Sequence, residues 1–258
     1  MPNLELFKQV QETAEFNIDL LSMQETYIEI KNAREECGGN VTYRAKIAAG
    51  GVKQFNIETG DDEMNASVPS ITGVIIRNYA CNAYFDEESE GNSPPICSSD
   101  DAKTGVIRDT GELQHCASCK HNAFGSSAKG GGKACKNMHI LYMLVEGCPI
   151  PLRISLPPTS LKSWQTYRTS TLAMRKLKPH EAVTEISIEI KGDKNKYGVA
   201  KFALKGKLPD NMKAVAQIMA NEANADKTEI TGDDYNRLAA TASGGSGGKP
   251  EDIGSAEQ

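Results

Sequence analysis

Seven cysteines punctuate this chain of 258 residues: Cys37, Cys81, Cys97, Cys116, Cys119, Cys135 and Cys148. Four of them bracket one segment, in the pattern C-x18-C-x2-C-x15-C from Cys97 to Cys135. A C-x2-C pair such as Cys116 and Cys119 forms a tight chelating knuckle. Cys97 and Cys135 complete a tetrahedron if the intervening loops fold back. Thiolates are soft ligands that suit zinc or an iron–sulfur cluster, and four protein donors with no open position suit structural zinc best. Glycines at 105, 111, 125 and 130 to 132 permit the turns such a site needs.

Other cysteine chemistry fits less well. A redox C-x2-C pair belongs in a thioredoxin-like βαβ context, which the flanking sequence lacks. Haem attachment needs His directly after the second cysteine, where Lys120 stands. His115 or His121 can replace one cysteine as a ligand. Cys37, Cys81 and Cys148 read as buried, inert thiols. The odd cysteine count and a start without an apolar export segment point to a reducing compartment, the cytoplasm, rather than a disulfide framework. No stretch approaches the roughly 20 apolar residues of a membrane helix, so no membrane partner is expected.

The net charge of −5 argues against a polyanion partner until its distribution is drawn. Between Leu113 and His180 ten basic residues face one acidic residue, Glu146, a net of +9 that leaves −14 for the remainder. Such asymmetry is the footprint of binding polyanions through one region, although a solubilising basic face has the same composition. The candidate phosphate contacts are Lys120, Lys129, Lys133, Lys136, Arg153, Lys162 and Arg168. Phe124, Tyr142, Trp164 and Tyr167 are the candidate base-stacking aromatics, with core packing the competing role for Tyr142 and Trp164. Lys133 and Lys136 flank Cys135, so a metal there would hold both outward.

Enzymatic signatures are weak. The glycine-rich run at 125–135 has Ser127 where a phosphate-binding loop needs its first glycine, and Ala134 where magnesium needs Ser or Thr. The Gly-x-Ser-x-Gly at 244–248 lies in a low-complexity tail. Ser126-x-x-Lys129 is a very weak match to a nucleophile motif. The pairs Asp61-Asp62, Asp100-Asp101 and Asp233-Asp234 could serve a metal-dependent nuclease, but adjacent aspartates are more often turn chemistry. The sequence reads as a binding protein, not an enzyme.

These residues must be positioned by the surrounding elements. Leu4, Phe7, Gln11 and Ala14 suggest a short helix, Tyr27, Ile28 and Ile30 a strand, and residues 50–57 a turn entering another strand. Ile71 to Phe85 is β-rich, Met138 to Val145 is a continuous apolar strand, and Leu152, Ile154 and Leu156 alternate up to Pro157 and Pro158. Thr159 or Ser160 can cap a helix whose stripe is Leu161, Trp164 and Leu172, widened by Tyr167. Ile186, Ile188 and Ile190, then Ala200, Phe202 and Leu204, predict a hairpin. Met212, Val215, Ala216 and Met219 predict a last helix.

Five strands with a helix between the third and fourth follow the order of an OB-fold. The expected architecture is therefore β-rich: an OB-fold-like five-stranded barrel, a four-cysteine zinc insertion between strands one and two, and a C-terminal helix. In domain terms, 1–70 is a β-containing extension packed on the core, 71–208 the core with its insertion at 95–137, 209–241 a helical segment and 242–258 a disordered tail. OB-folds bind single strands across strands two and three, which here lie inside the basic window.

The run Pro95-Ile-Cys97-Ser-Ser, the knuckle Cys116-x-x-Cys119-x-x-Asn122-x-Phe124-Gly125-Ser126, the stretch Gly132-Lys133-Ala134-Cys135-Lys136-Asn137 and the segment Leu156-Pro157-Pro158-Thr159-Ser160-Leu161-Lys162 resemble a family of phage- and mobile-element-encoded zinc-containing proteins. The likeness spans roughly residues 70 to 205 and is similar to OB-fold single-stranded DNA-binding proteins of phage replication. It implies sequence-independent binding of single-stranded DNA in replication or recombination, structural zinc, and a place in the host cytoplasm. It also leaves room for replication or recombination proteins as partners and for a homo-oligomer. The tail, with Glu251, Asp252 and Glu257 near its end, departs from the strongly acidic tails of such proteins. A zinc-ribbon adaptor, with the helix at 211–222 as its handle, and a metal-dependent nuclease are the competing classes.

Overall fold

The computed structural model describes residues 20–37, 43–59, 65–85, 94–128, 131–146, 148–193 and 196–225. Among them, eleven strands form one mixed, unclosed sheet, and three α-helices of nine or more residues pack on it. The helices are α1 (Leu20–Cys37), α2 (Pro158–Thr166) and α3 (Asp210–Ala225). The expectations for a helix at 4–14 and for the tail at 242–258 lie outside the described residues.

The β-rich run expected at Ile71 to Phe85 is one strand of 15 residues, β4 (Ser70–Tyr84). It pairs antiparallel with β8 (Lys136–Val145), which pairs antiparallel with β9 (Cys148–Leu156). The hairpin β10 (Ala182–Lys191) and β11 (Tyr197–Lys207) joins through β10, whose Val183–Ser187 pair with Ser70–Val74 of β4. These are the first–second, second–third, first–fourth and fourth–fifth pairings of the expected meander. The fifth, between the third strand and the last, is replaced. The free edge of β9 is taken in parallel by β1 (Tyr43–Ile47), with Ala45 opposite Ile154. β2 (Phe55–Glu58) and β3 (Ala66–Val68) continue outward from β1. The N-terminal extension, expected to contain β-structure, supplies three strands of the sheet, and β1 holds the edge that a barrel would need. β11 comes near β1 without pairing. A Cβ on Gly198 would stand 2.6 Å from Ile47 Cγ2, so this approach needs glycine.

Both faces of the sheet are covered, which explains the unbroken apolar run in β8. One face carries Phe55, Ile75, Leu141, Met143, Leu152 and Ile154 beneath Trp164, Tyr167 and Leu172. The other carries Val74, Ile76, Met138, Ile140 and Leu144 beneath Met23 and Tyr27 of α1 and Val215, Ala216, Met219 and Ala220 of α3. The last helix therefore has the predicted stripe, and it is spent on the core rather than offered as a handle. The strand expected at 27–30 is part of α1. Met23, Tyr27 and Ile30 recur at helical spacing, and a short apolar run does not by itself tell strand from helix.

The helix after Pro157 begins with Pro158 in its first turn, where a missing N–H costs nothing. Ser160 is inside the helix rather than capping it. Its buried Oγ accepts the backbone N–H of Ala200 at 2.9 Å and ties α2 to β11. Past Thr166 the chain widens into a π-helical turn, Tyr167–Leu172, and closes with a 3₁₀ turn at Ala173–Arg175. Among the described residues, no helix is long and apolar enough to cross a membrane.

Candidate functional site: the cysteine segment and the cleft beside it

The cysteine segment lies where the sequence put it, between β4 and β8, and it grows out of the sheet. β5 (Cys97–Ser99) pairs with the end of β4, Tyr84 opposite Cys97. β6 (Thr104–Ile107) and β7 (Leu113–His115) follow antiparallel. A side-chain turn joins β5 to β6. Asp101 Oδ1 accepts hydrogen bonds from Lys103 N–H, Thr104 N–H and the Ser99 hydroxyl, which hold its carboxyl below the usual range. This aspartate, half of a candidate nuclease pair, is thus turn chemistry. Cys116 follows β7, and its N–H donates to Lys103 O at 2.8 Å. Asn122 Nδ2 donates to Cys116 O at 2.8 Å, and Cys135 N–H donates to His121 O at 2.8 Å. The Ser126 hydroxyl donates to His121 O and accepts Ala134 N–H, so the loop from knuckle to last cysteine is laced to itself. The His121 ring stacks on Tyr84 at 3.9 Å, anchoring the knuckle to β4.

The four thiols share one electrostatic neighbourhood. Burial pushes the Cys135 thiol up to about 12, and the neighbouring Cys116, Cys119 and Cys97 thiols push in the same direction. Cys97 is also raised, by burial first and then by Cys116 and Cys119. Cys97 Sγ leans over Gly105, where a Cβ would stand 2.7 Å from it. As the side chains are placed, no group of three or more His, Cys, Asp or Glu among the described residues is drawn together as a metal-binding cluster. Cys81 and Cys148 are buried elsewhere in the sheet, as expected of inert thiols.

Next to this segment a cleft of about 980 Å³ opens between three elements. The cysteine segment contributes Lys103, His115 and Asn122, the β4–β8 pair contributes Asn82, Asn137 and His139, and the α2 region contributes Trp164 and Arg168. Asn82 Nδ2 donates to Ala102 O at 3.2 Å, and Asn137 Nδ2 donates to Asn82 Oδ1 at 2.6 Å. His139 Nε2 meets Asn78 Oδ1 at 3.2 Å, and its ring lies 5.6 Å from the Trp164 indole. Burial, and then the Arg168 charge, lower the His139 imidazole to about 4, so it is neutral at pH 7. The Arg168 guanidinium sits 5.7 Å from the centre of the Trp164 ring, while its side chain stays exposed. Trp164 is 3% exposed, and its Nε1–H has no acceptor.

The candidate contacts divide accordingly. Lys120, Lys133, Lys162 and Arg168 are exposed, Lys136 is half-buried and Phe124 is 58% exposed, so all can meet a solute. Lys129 lies outside the described residues. Arg153, Tyr142 and Tyr167 do not fit the assignment. Arg153 is 1% exposed on the middle strand, Tyr142 stacks with Tyr79 in the core, and the Tyr167 hydroxyl bonds Thr184 in the interior. Strands two and three lie beneath helices on both faces, so the usual OB surface is closed. Sequence reasoning missed Lys103, Asn82, Asn137 and His139. Lys103 stands beyond the basic window among acidic residues, and His139 sits in an apolar strand where a core role is the ordinary expectation.

Comparison of the chain with protein-family models, curated proteins and solved structures gives no match.

Proposed function

We propose that this chain is a single-stranded DNA-binding protein of a phage-type replication or recombination system, stiffened by structural zinc. One observation carries the reading: the cleft between the cysteine segment and α2 brings Lys103 and Arg168 to the same place as an indole. Cations neutralise phosphates and release counterions, and a ring edge or face offers bases a partner that water does not. Exposed Lys120 and Lys133 on the cysteine segment, and Lys162 on α2, extend positive charge beyond the cleft.

Cys97, Cys116, Cys119 and Cys135 would hold the zinc. Four cysteines carried by one segment of three short strands and a hydrogen-bonded loop are a chemically fitting donor set, and zinc would hold them as thiolates. Zinc has no chemical step in this reading. The chain's own residues bind: lysines and arginines meet phosphate oxygens, and the metal loop keeps Lys120, Asn122 and Lys133 in register with β4 and α2.

The test is a titration of fluorescent oligo(dT) by anisotropy at several salt concentrations. Micromolar or tighter binding with a log–log salt slope of about −0.7 per phosphate contact supports the reading. No binding at low salt overturns it, and magnesium-dependent cleavage of the oligomer would replace it with a nuclease.

A further inference from the structure

We infer that the cleft admits a nucleobase, which displaces the Arg168 guanidinium from Trp164 and accepts a hydrogen bond from the indole Nε1–H. This rests on the DNA-binding reading and deepens it, because binding then depends on bases and not on the phosphate chain alone.

Three observations converge on the same point. First, Trp164 lines the cleft, is 3% exposed, and carries an Nε1–H without an acceptor. A buried donor left unmatched is costly, and the ring is otherwise well placed, against His139, Tyr167 and Phe202 at 5.2–6.1 Å. Second, its cover is movable. Arg168 lies over the ring, but its side chain is exposed and projects from a π-helical turn, a local widening that is frequent at functional sites. A phosphate draws a guanidinium more strongly than an indole face does, so an arriving strand takes Arg168 and uncovers the indole, whose in-plane N–H meets an acceptor on the edge of the base. Third, the rest of the cleft suits a flat heterocycle. Small walls at Ala80 and Ala102 lie beside the carboxamides of Asn82 and Asn137, and amide groups are the usual partners of base edges. A cleft of about 980 Å³ holds a nucleotide with room for the sugar.

The chain has a single tryptophan, so its emission reports this cleft directly. The full-length protein is titrated with a dT 12-mer and with a 12-mer of abasic residues, which keeps the phosphates and lacks the bases. Anisotropy and tryptophan emission are followed together. The expected result is at least tenfold weaker binding of the abasic oligomer and a change in emission that saturates with dT alone. Trp164→Phe, which keeps a ring and removes the N–H, should weaken dT binding about five- to tenfold and leave abasic binding unchanged. If that variant does not fold, the emission measurement on the native chain decides. Equal binding of both oligomers with unchanged emission overturns the base pocket and leaves the DNA-binding reading standing. Absence of any anisotropy change overturns both.

Discussion

Tyr167 and Thr184 share a buried hydrogen bond, their hydroxyl oxygens 2.7 Å apart. It joins the first residue of the π-helical turn to β10, one strand removed from β8. The bond explains why an aromatic at helical spacing in a basic stretch belongs to the interior. Burial of the ring and satisfaction of the phenol are achieved together. Tyr167→Phe leaves the Thr184 hydroxyl without this partner and should cost about 1–3 kcal/mol. Urea unfolding should show a lower midpoint at unchanged slope, with oligonucleotide affinity of the folded protein within twofold of native. A large affinity loss without a stability loss would return Tyr167 to the binding surface.

Arg168 has the opposite character, exposed and lining the cleft. Arg168→Gln should leave the urea midpoint nearly unchanged, since surface substitutions usually act within about 0.5 kcal/mol. It should weaken oligo(dT) binding and flatten the salt slope by about 0.7, the share of one phosphate contact on a single strand. Lys103→Gln should do the same. An unchanged slope in both variants would place the phosphate path elsewhere.

How much of this was legible in the chain follows from which signals are local. Alternation at Ile186–Ile190 and Ala200–Leu204, the apolar run at 138–145 and the stripe at Met212–Met219 each encode an element, and each element is present. Closure of the sheet was not legible. Whether β9 pairs with β11 or with β1 is a contest between distant segments, and Tyr43–Ile47 wins it without a local signature. The same distinction divides the site residues. Lys120 and Lys133, beside cysteines in short loops, are exposed because such loops have no interior to hide them, whereas Lys136 opens β8 and is half-buried. The fate of Arg153 depended on how many layers would cover β9. Periodicity reports a buried side and a free side, but it does not report that a second helix layer occupies the free one.

The His139 imidazole gives the fold a measurable pH dependence. Its ordinary value is 6.5, and burial together with Arg168 lowers it to about 4 in the folded chain. Between these values the unfolded chain binds the proton and the folded chain does not, so stability is complete above pH 6.5 and falls as the pH drops towards 4. The full effect is roughly 3 kcal/mol. His121 and His180 are lowered as well, His121 by burial and Lys120 and His180 chiefly by burial, and they add to the same slope. Midpoints of urea unfolding from pH 7.5 to 4 should therefore decline. His139→Gln, which keeps a donor for Asn78, should make the decline visibly shallower. An identical slope in the variant would remove His139 as its source.

Gly105 offers a test of the metal that replaces no ligand. A methyl group there would stand 2.7 Å from Cys97 Sγ, closer than carbon and sulfur tolerate, so Gly105→Ala must push the thiol aside or part β5 from β6. If Cys97 closes a tetrahedral zinc site with Cys116, Cys119 and Cys135, the displacement spoils one corner of it. Elemental analysis should find about one zinc per native chain. It should find much less in Gly105→Ala and in Cys135→Ser, and an undiminished amount in Cys148→Ala, whose thiol instead donates to Ile150 O within the sheet. Chelator-treated native protein should lose oligonucleotide affinity in step with zinc, because the same loop holds Asn122 and Lys133, whose side chains bond each other at 3.3 Å. A native chain that is folded and free of metal, or a Gly105→Ala chain that keeps its zinc, would dissolve the link between the cysteines and the cleft.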